Sequence, residues 1–62
     1  MNQFELAKKT VNKIIYKLSN NDLIVLKNLF FDIQKPNINL YQRNIYISRF
    51  IVFSKYLLNK YY

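Results

Sequence analysis

This chain of 62 residues predicts an all-α fold: an antiparallel two-helix hairpin with a short N-terminal lead-in turn or helix. Three observations predict it. Apolar residues recur at helical spacing through two long segments, Gly is absent, and the single Pro, Pro36, falls between those segments. A single domain, residues 1–62, is expected to hold a helix over about 10–34, a turn over about 35–38 and a helix over about 39–60.

The lead-in runs from Met1 to Lys9, with Phe4, Leu6 and Ala7 able to reach a core. Thr10 is a candidate N-cap, because its hydroxyl can accept from the orphan amides of the next turn. Lys13 stands where a capping box would need an acid. From Val11 the spacing is helical. Wound as one helix, Val11, Ile14, Ile15, Leu18, Val25, Leu26, Leu29 and Ile33 project to one side, and Lys9, Lys13, Lys17, Asn20 and Lys27 to the other.

Ser19-Asn20-Asn21-Asp22 interrupts this pattern, because such side chains compete for the backbone and favour caps and turns. Asp22 would also fall near the apolar face, where an unpaired charge costs several kcal/mol. The helix is expected to continue, with Asp22 meeting a base such as Arg43. The alternative is a break in which Ser19 or Asn20 caps a new helix. Pro36 disfavours helix at Lys35, and Asn37 or Asn39 can cap the second long helix. A connection this short makes the two long segments antiparallel.

In the last segment, Tyr46, Ile47, Phe50, Ile51, Phe53, Leu57 and Leu58 share one broad face at about 100° per residue. The opposite side carries Gln42, Asn44, Ser48, Arg49, Lys55, Asn59 and Lys60, but Ile45, Val52 and Tyr56 interrupt it. The helix is therefore apolar on more than one flank, which calls for a second partner beyond its own fold. Its many Ile, Tyr, Phe and Val residues would suit a strand by propensity. Length without a turn signal decides for helix.

Composition narrows the chemistry. A domain this small is marginal without staples or partners. There is no Cys and no His, which excludes disulfides, thiolate chemistry and the common zinc and haem sites, so no cofactor is expected. Glu5, Asp22 and Asp32 are scattered, and no pair is spaced for acid–base work. Without Gly there is no phosphate-cradling loop. No enzyme activity and no small-molecule substrate are expected. The first ten residues show no secretory pattern, and the apolar run from Ile45 to Leu58 is shorter than the roughly 20 residues a membrane span needs.

Ten Lys and Arg against three acids give a net charge of +7, which favours polyanionic partners: nucleic acid first, an anionic membrane surface second. Ile, Asn, Lys, Tyr and Phe dominate and Lys outnumbers Arg eight to two, the signature of an AT-rich genome such as that of a reduced endosymbiont or an organelle. That bias can supply Lys and Tyr, but it does not explain the shortage of acids. Candidate RNA-contacting residues are Lys9, Lys13, Lys17 and Lys27 on the first helix, and Arg43, Arg49, Lys55 and Lys60 on the second. Arg49 offers the forked geometry suited to phosphate, and the Tyr residues can stack on bases. A solvated helix face would carry the same lysines.

Three stretches resemble the bacterial and organellar large-subunit ribosomal protein twenty-nine family. Glu5-Leu6 followed by Lys9-Thr10-Val11 matches its start, and Leu26-Lys27-Asn28-Leu29-Phe30-Phe31 the end of its first helix. Its second-helix motif, Val-Arg-Arg-x-Ile-Ala-Arg-x-Lys-x-x-Leu, is met by Ile47-Ser48-Arg49-Phe50-Ile51-Val52-Phe53-Ser54-Lys55-Tyr56-Leu57-Leu58. Ser48 and Phe53 replace two of its arginines, and its loop Gly is missing. The resemblance implies a basic helical hairpin on the large ribosomal RNA near the polypeptide exit tunnel, beside a protein of the twenty-three family and close to where nascent-chain factors dock. It implies a scaffolding role on the ribosome of an AT-rich bacterium's cytoplasm or of an organelle. Tyr41-Gln42-Arg43, followed after thirteen residues by Leu57-Leu58, is similar instead to the small-subunit ribosomal protein eighteen family. That match lacks the basic cluster expected between the two motifs and leaves the first twenty residues unexplained. A basic amphipathic hairpin on a membrane or protein surface is the alternative from another class, and a toxin or regulator seated in another protein's groove is a third.

Overall fold

The computed structural model describes residues 2–61, so Met1 and Tyr62, the ends of the expected domain, lie outside it. The fold is all-helical, and no strand occurs among the described residues. Three helices are present where a two-helix hairpin with a short lead-in turn or helix was expected: α1 (Gln3–Ile14), α2 (Asn20–Gln34) and α3 (Leu40–Tyr61), with a single 3₁₀ turn over Ile15–Lys17.

The expected helix over 10–34 is thus two helices, and the lead-in is a full helix that runs through Thr10. Asn2 caps α1, its side-chain oxygen accepting from the Glu5 amide at 2.8 Å. Thr10 lies inside α1 and caps nothing. The break follows from the Ser-Asn-Asn-Asp run. Leu18 and Ser19 turn extended (ψ 140° and 161°), and Ser19 Oγ accepts from the Asp22 amide at 3.2 Å as the cap of α2. Local hydrogen bonding outcompetes helix continuation there.

The connection between α2 and α3 turns at Pro36 and Asn37. Asn37 holds φ at 65°, the left-handed conformation that Asn tolerates better than most residues, so the turn closes without a Gly. Asn39 then caps α3, accepting from the Gln42 amide at 2.8 Å.

α3 is the spine. At about 1.5 Å per residue its 22 residues match the 33 Å long axis of the molecule. α2 runs antiparallel to it, which is the hairpin the sequence predicts. α1 runs alongside α3 in the same direction, and α1 and α2 barely touch each other. The core is Ala7, Val11, Ile14, Leu26, Ile33, Phe50 and Leu57. Phe50 joins all three helices: the Phe4 ring meets it edge-on at 5.5 Å and the Phe30 ring lies tilted at 5.9 Å. Of the expected face of α3, Phe50 and Leu57 are buried, and Tyr46, Ile47, Ile51, Phe53 and Leu58 are half-buried. The break rephases the first segment, so Ile15 and Val25, both expected inside, are exposed.

Candidate nucleic-acid interface

Charge pairing separates the cations that can act on a partner from those already engaged. Glu5 pairs with Lys8 at 2.9 Å and Asp32 with Lys35 at 3.0 Å, each one helical turn apart. Asp22 pairs with Lys60 at 3.0 Å across the fold. All three acids are thereby matched. Lys9, Lys13, Lys17, Lys27, Arg43, Arg49 and Lys55 have no carboxylate partner among the described residues, and they account for the net charge of +7. Seven of the eight candidate residues are therefore unmatched cations.

Lys60 is the exception, and its setting corrects the expected partner of Asp22. Antiparallel packing brings the start of α2 to the end of α3, so Asp22 meets Lys60 and Tyr61, while Arg43 sits at the far end of α3. Asp22 is 8% exposed. Its carboxylate accepts from the Tyr61 hydroxyl at 2.5 Å and from Lys60 Nζ at 3.0 Å. The Tyr61 oxygen in turn accepts from the Ser19 amide at 3.0 Å. These bonds, led by that from Tyr61, hold the Asp22 carboxyl below its ordinary 3.8. Its hydrogen bond to Asp22, and then a weaker one to Tyr56 at 3.3 Å, raise the Lys60 ammonium above its ordinary 10.5. The cluster clasps α2 to α3.

The unmatched cations do not form the single stripe expected on the first helix, because that helix is broken. Lys9 and Lys13 are one turn apart on α1, Lys17 lies on the 3₁₀ turn with its ammonium 5.8 Å from the exposed Tyr16 ring, and Lys27 borders the cleft between α1 and α2. Arg43 is exposed in the first turn of α3. Arg49 stands over the Tyr46 ring at 5.9 Å, on the α2 side of α3.

The nearest grouping is on the α1 side of α3. There Gln3, Leu6, Thr10, Lys13, Lys55 and Asn59 edge a shallow groove floored by Ala7, Ser54 and Leu58, with Lys9 one turn before Lys13. Amides, a hydroxyl and ammonium groups face solvent along it, and none of its lining residues is acidic. It can bind phosphate oxygens electrostatically without reading a base.

Comparison with protein-family models, with curated proteins and with solved structures gave no match. Among the described residues, no helix is long and apolar enough to cross a membrane.

The pairing of Lys8 and Lys35 was open to sequence reasoning, since Glu5 and Asp32 lie three residues before them, within α1 and at the end of α2. Tyr61 and Ser54 were missed. Ser54 is buried beside Ala7, its Oγ donating to the Ile51 carbonyl at 2.6 Å, and only knowledge of the helix crossing would have singled it out.

Proposed function

We propose that this protein is a structural component of the large ribosomal subunit that binds ribosomal RNA through the cations around the α1–α3 groove. One observation carries it: every acid is neutralised by a cation of the chain itself, leaving seven cations without a carboxylate partner among the described residues. Such a surface exchanges counterions for phosphates, and its affinity falls steeply with salt. The resemblance to the twenty-nine family adds the place, near the exit tunnel beside a twenty-three-family protein; the antiparallel α2–α3 pair is roughly consistent with a hairpin, although the stretches matched to that family's first helix lie here on two helices, α1 and α2.

A second ribosomal reading, the small-subunit eighteen family, is favoured by the break before Ser19. The stretch that family leaves unmatched is a separate element, α1, while Tyr41, Gln42, Arg43, Leu57 and Leu58 all lie on the unbroken α3.

The test is co-sedimentation of the tagged protein with separated ribosomal subunits. Association with the large subunit is expected; association with the small subunit would replace the first reading by the second. Preferential binding to anionic vesicles over ribosomal RNA would overturn both. With a large-subunit RNA fragment, Lys13→Gln combined with Lys55→Gln should lower the log–log salt slope by about two.

A further inference from the structure

On the α2 side of α3 lies an open trough of about 770 Å³. Leu29 of α2 and Ile45, Val52, Phe53 and Tyr56 of α3 line it, with Tyr41 at one end and Arg49 at its edge. Tyr41 is 74% exposed and Val52 67%. An apolar face this exposed on so small a protein marks an interaction surface.

From the spacing and the charge we infer that this trough docks an amphipathic helix with acidic flanks, supplied by another protein. Tyr41, Ile45, Ser48, Val52 and Tyr56 succeed one another at intervals of four, three, four and four residues along α3. The first three steps follow the four-three-four alternation by which one helix receives the side chains of another lying along it, and the last step departs from it. The row is about 22 Å long at about 1.5 Å per residue, room for a partner helix of about four turns.

Charge selects the partner. No lining residue is acidic, Arg49 is unmatched, and the nearby carboxylates Asp22 and Asp32 are held by Lys60 and Lys35. A second copy of this chain would set +7 against +7 and Arg49 against a surface with no unmatched acid. RNA would find a floor of Leu29, Ile45, Val52 and Phe53 without donors and, of charged groups, only Arg49 for phosphate. A flat bilayer would meet the exposed ridge of α3 and leave the depth of the trough beside Leu29 unfilled. This inference goes beyond the ribosomal proposal, which can fail while it stands.

The test uses the purified full chain and a labelled synthetic helical peptide of about four turns, with Leu and Phe on one face and Glu on both flanks, beside a twin with Lys in place of Glu. Fluorescence anisotropy should show the Glu peptide binding about tenfold more tightly than the Lys peptide. Arg49→Glu should narrow or reverse that order. Val52→Lys should weaken the Glu peptide about tenfold. Both positions are exposed, so circular dichroism should show unchanged helix content. Equal binding of the two peptides, or binding indifferent to both substitutions, would overturn the inference. Self-association of the peptide-free chain that Val52→Lys abolishes would overturn it in favour of a second copy, and displacement of the Glu peptide by single-stranded RNA or by anionic vesicles would overturn it in favour of those occupants.

Discussion

The two flanks of α3 belong to one helix and present opposite surfaces. On the α1 flank the small buried residues Ala7 and Ser54 lie under a shallow groove edged by Lys13, Lys55 and Asn59. The α2 flank carries exposed rings of α3 itself. Phe53 and Tyr56 stack at 5.3 Å, and the trough beside them stays open and apolar. Side-chain size at a helix crossing sets the distance between axes, and that distance sets how deep the groove beside it runs. A three-helix fold with little internal volume can thus offer a polyanion one side and an apolar partner the other.

The largest expected effect removes what the flanks share. Phe50 touches α1 through Phe4 and α2 through Phe30, so Phe50→Ala should loosen both flanks at once, at a cost of about 3–5 kcal/mol. A domain of this length has roughly 3–9 kcal/mol of stability at typical values per residue. Urea denaturation should therefore find about half or more of the stability lost. A cost below about 1 kcal/mol in urea denaturation would show that the flanks are anchored separately.

A second comparison enlarges one side chain on each flank. Ser54→Leu forces three extra carbons between α3 and Ala7 and should cost about 1–3 kcal/mol by overpacking. Val52→Leu adds a methylene to the open trough and should change stability by less than about 0.5 kcal/mol. Equal costs would mean that the α1 flank is not the tighter one.

How much of this was legible in the sequence depended on whether local rules decide the outcome. The α3 face around Phe50 and Leu57, the Asn39 cap and the antiparallel pairing of the last two helices come from spacing and from Pro36, all local signals. The Ser19 cap was visible as an option, but its competition with helix continuation is balanced, and Thr10 offered a misleading alternative start. The destination of Asp22 was not legible, because Lys60 and Tyr61 lie 38 and 39 residues away and only the packed fold brings them near. The cations were identifiable one by one. Their distribution around the molecule was not, because the break between α1 and α2 rotates Lys27 away from Lys9 and Lys13. The caps can be checked directly. Ser19→Ala should cost about 1 kcal/mol, while Thr10→Ala, inside α1, should be neutral or stabilising by up to about 0.7 kcal/mol.

The finest distinction between the flanks is their response to acid. The α2 flank is closed at one end by the Asp22 clasp, whereas Glu5, the only acid on α1, pairs within its own helix. Hydrogen bonds from Tyr61 and Lys60 hold the Asp22 carboxyl below its ordinary 3.8, so the folded state binds the proton less readily than the unfolded chain. The clasp's contribution is then complete above 3.8 and is lost as pH falls below that value through the folded-state pKa. Lys60, whose folded pKa is raised, contributes fully below its ordinary 10.5 and loses that contribution only as pH rises beyond it, so it leaves the acid limb unchanged. Stability of the native chain should thus drop as pH falls below about 4. Asp22→Asn should start less stable and show a flatter drop over that range, with urea midpoints as the readout. If both proteins lose stability in parallel, the acid response belongs to the exposed carboxylates, and the two flanks of α3 are equal in this respect.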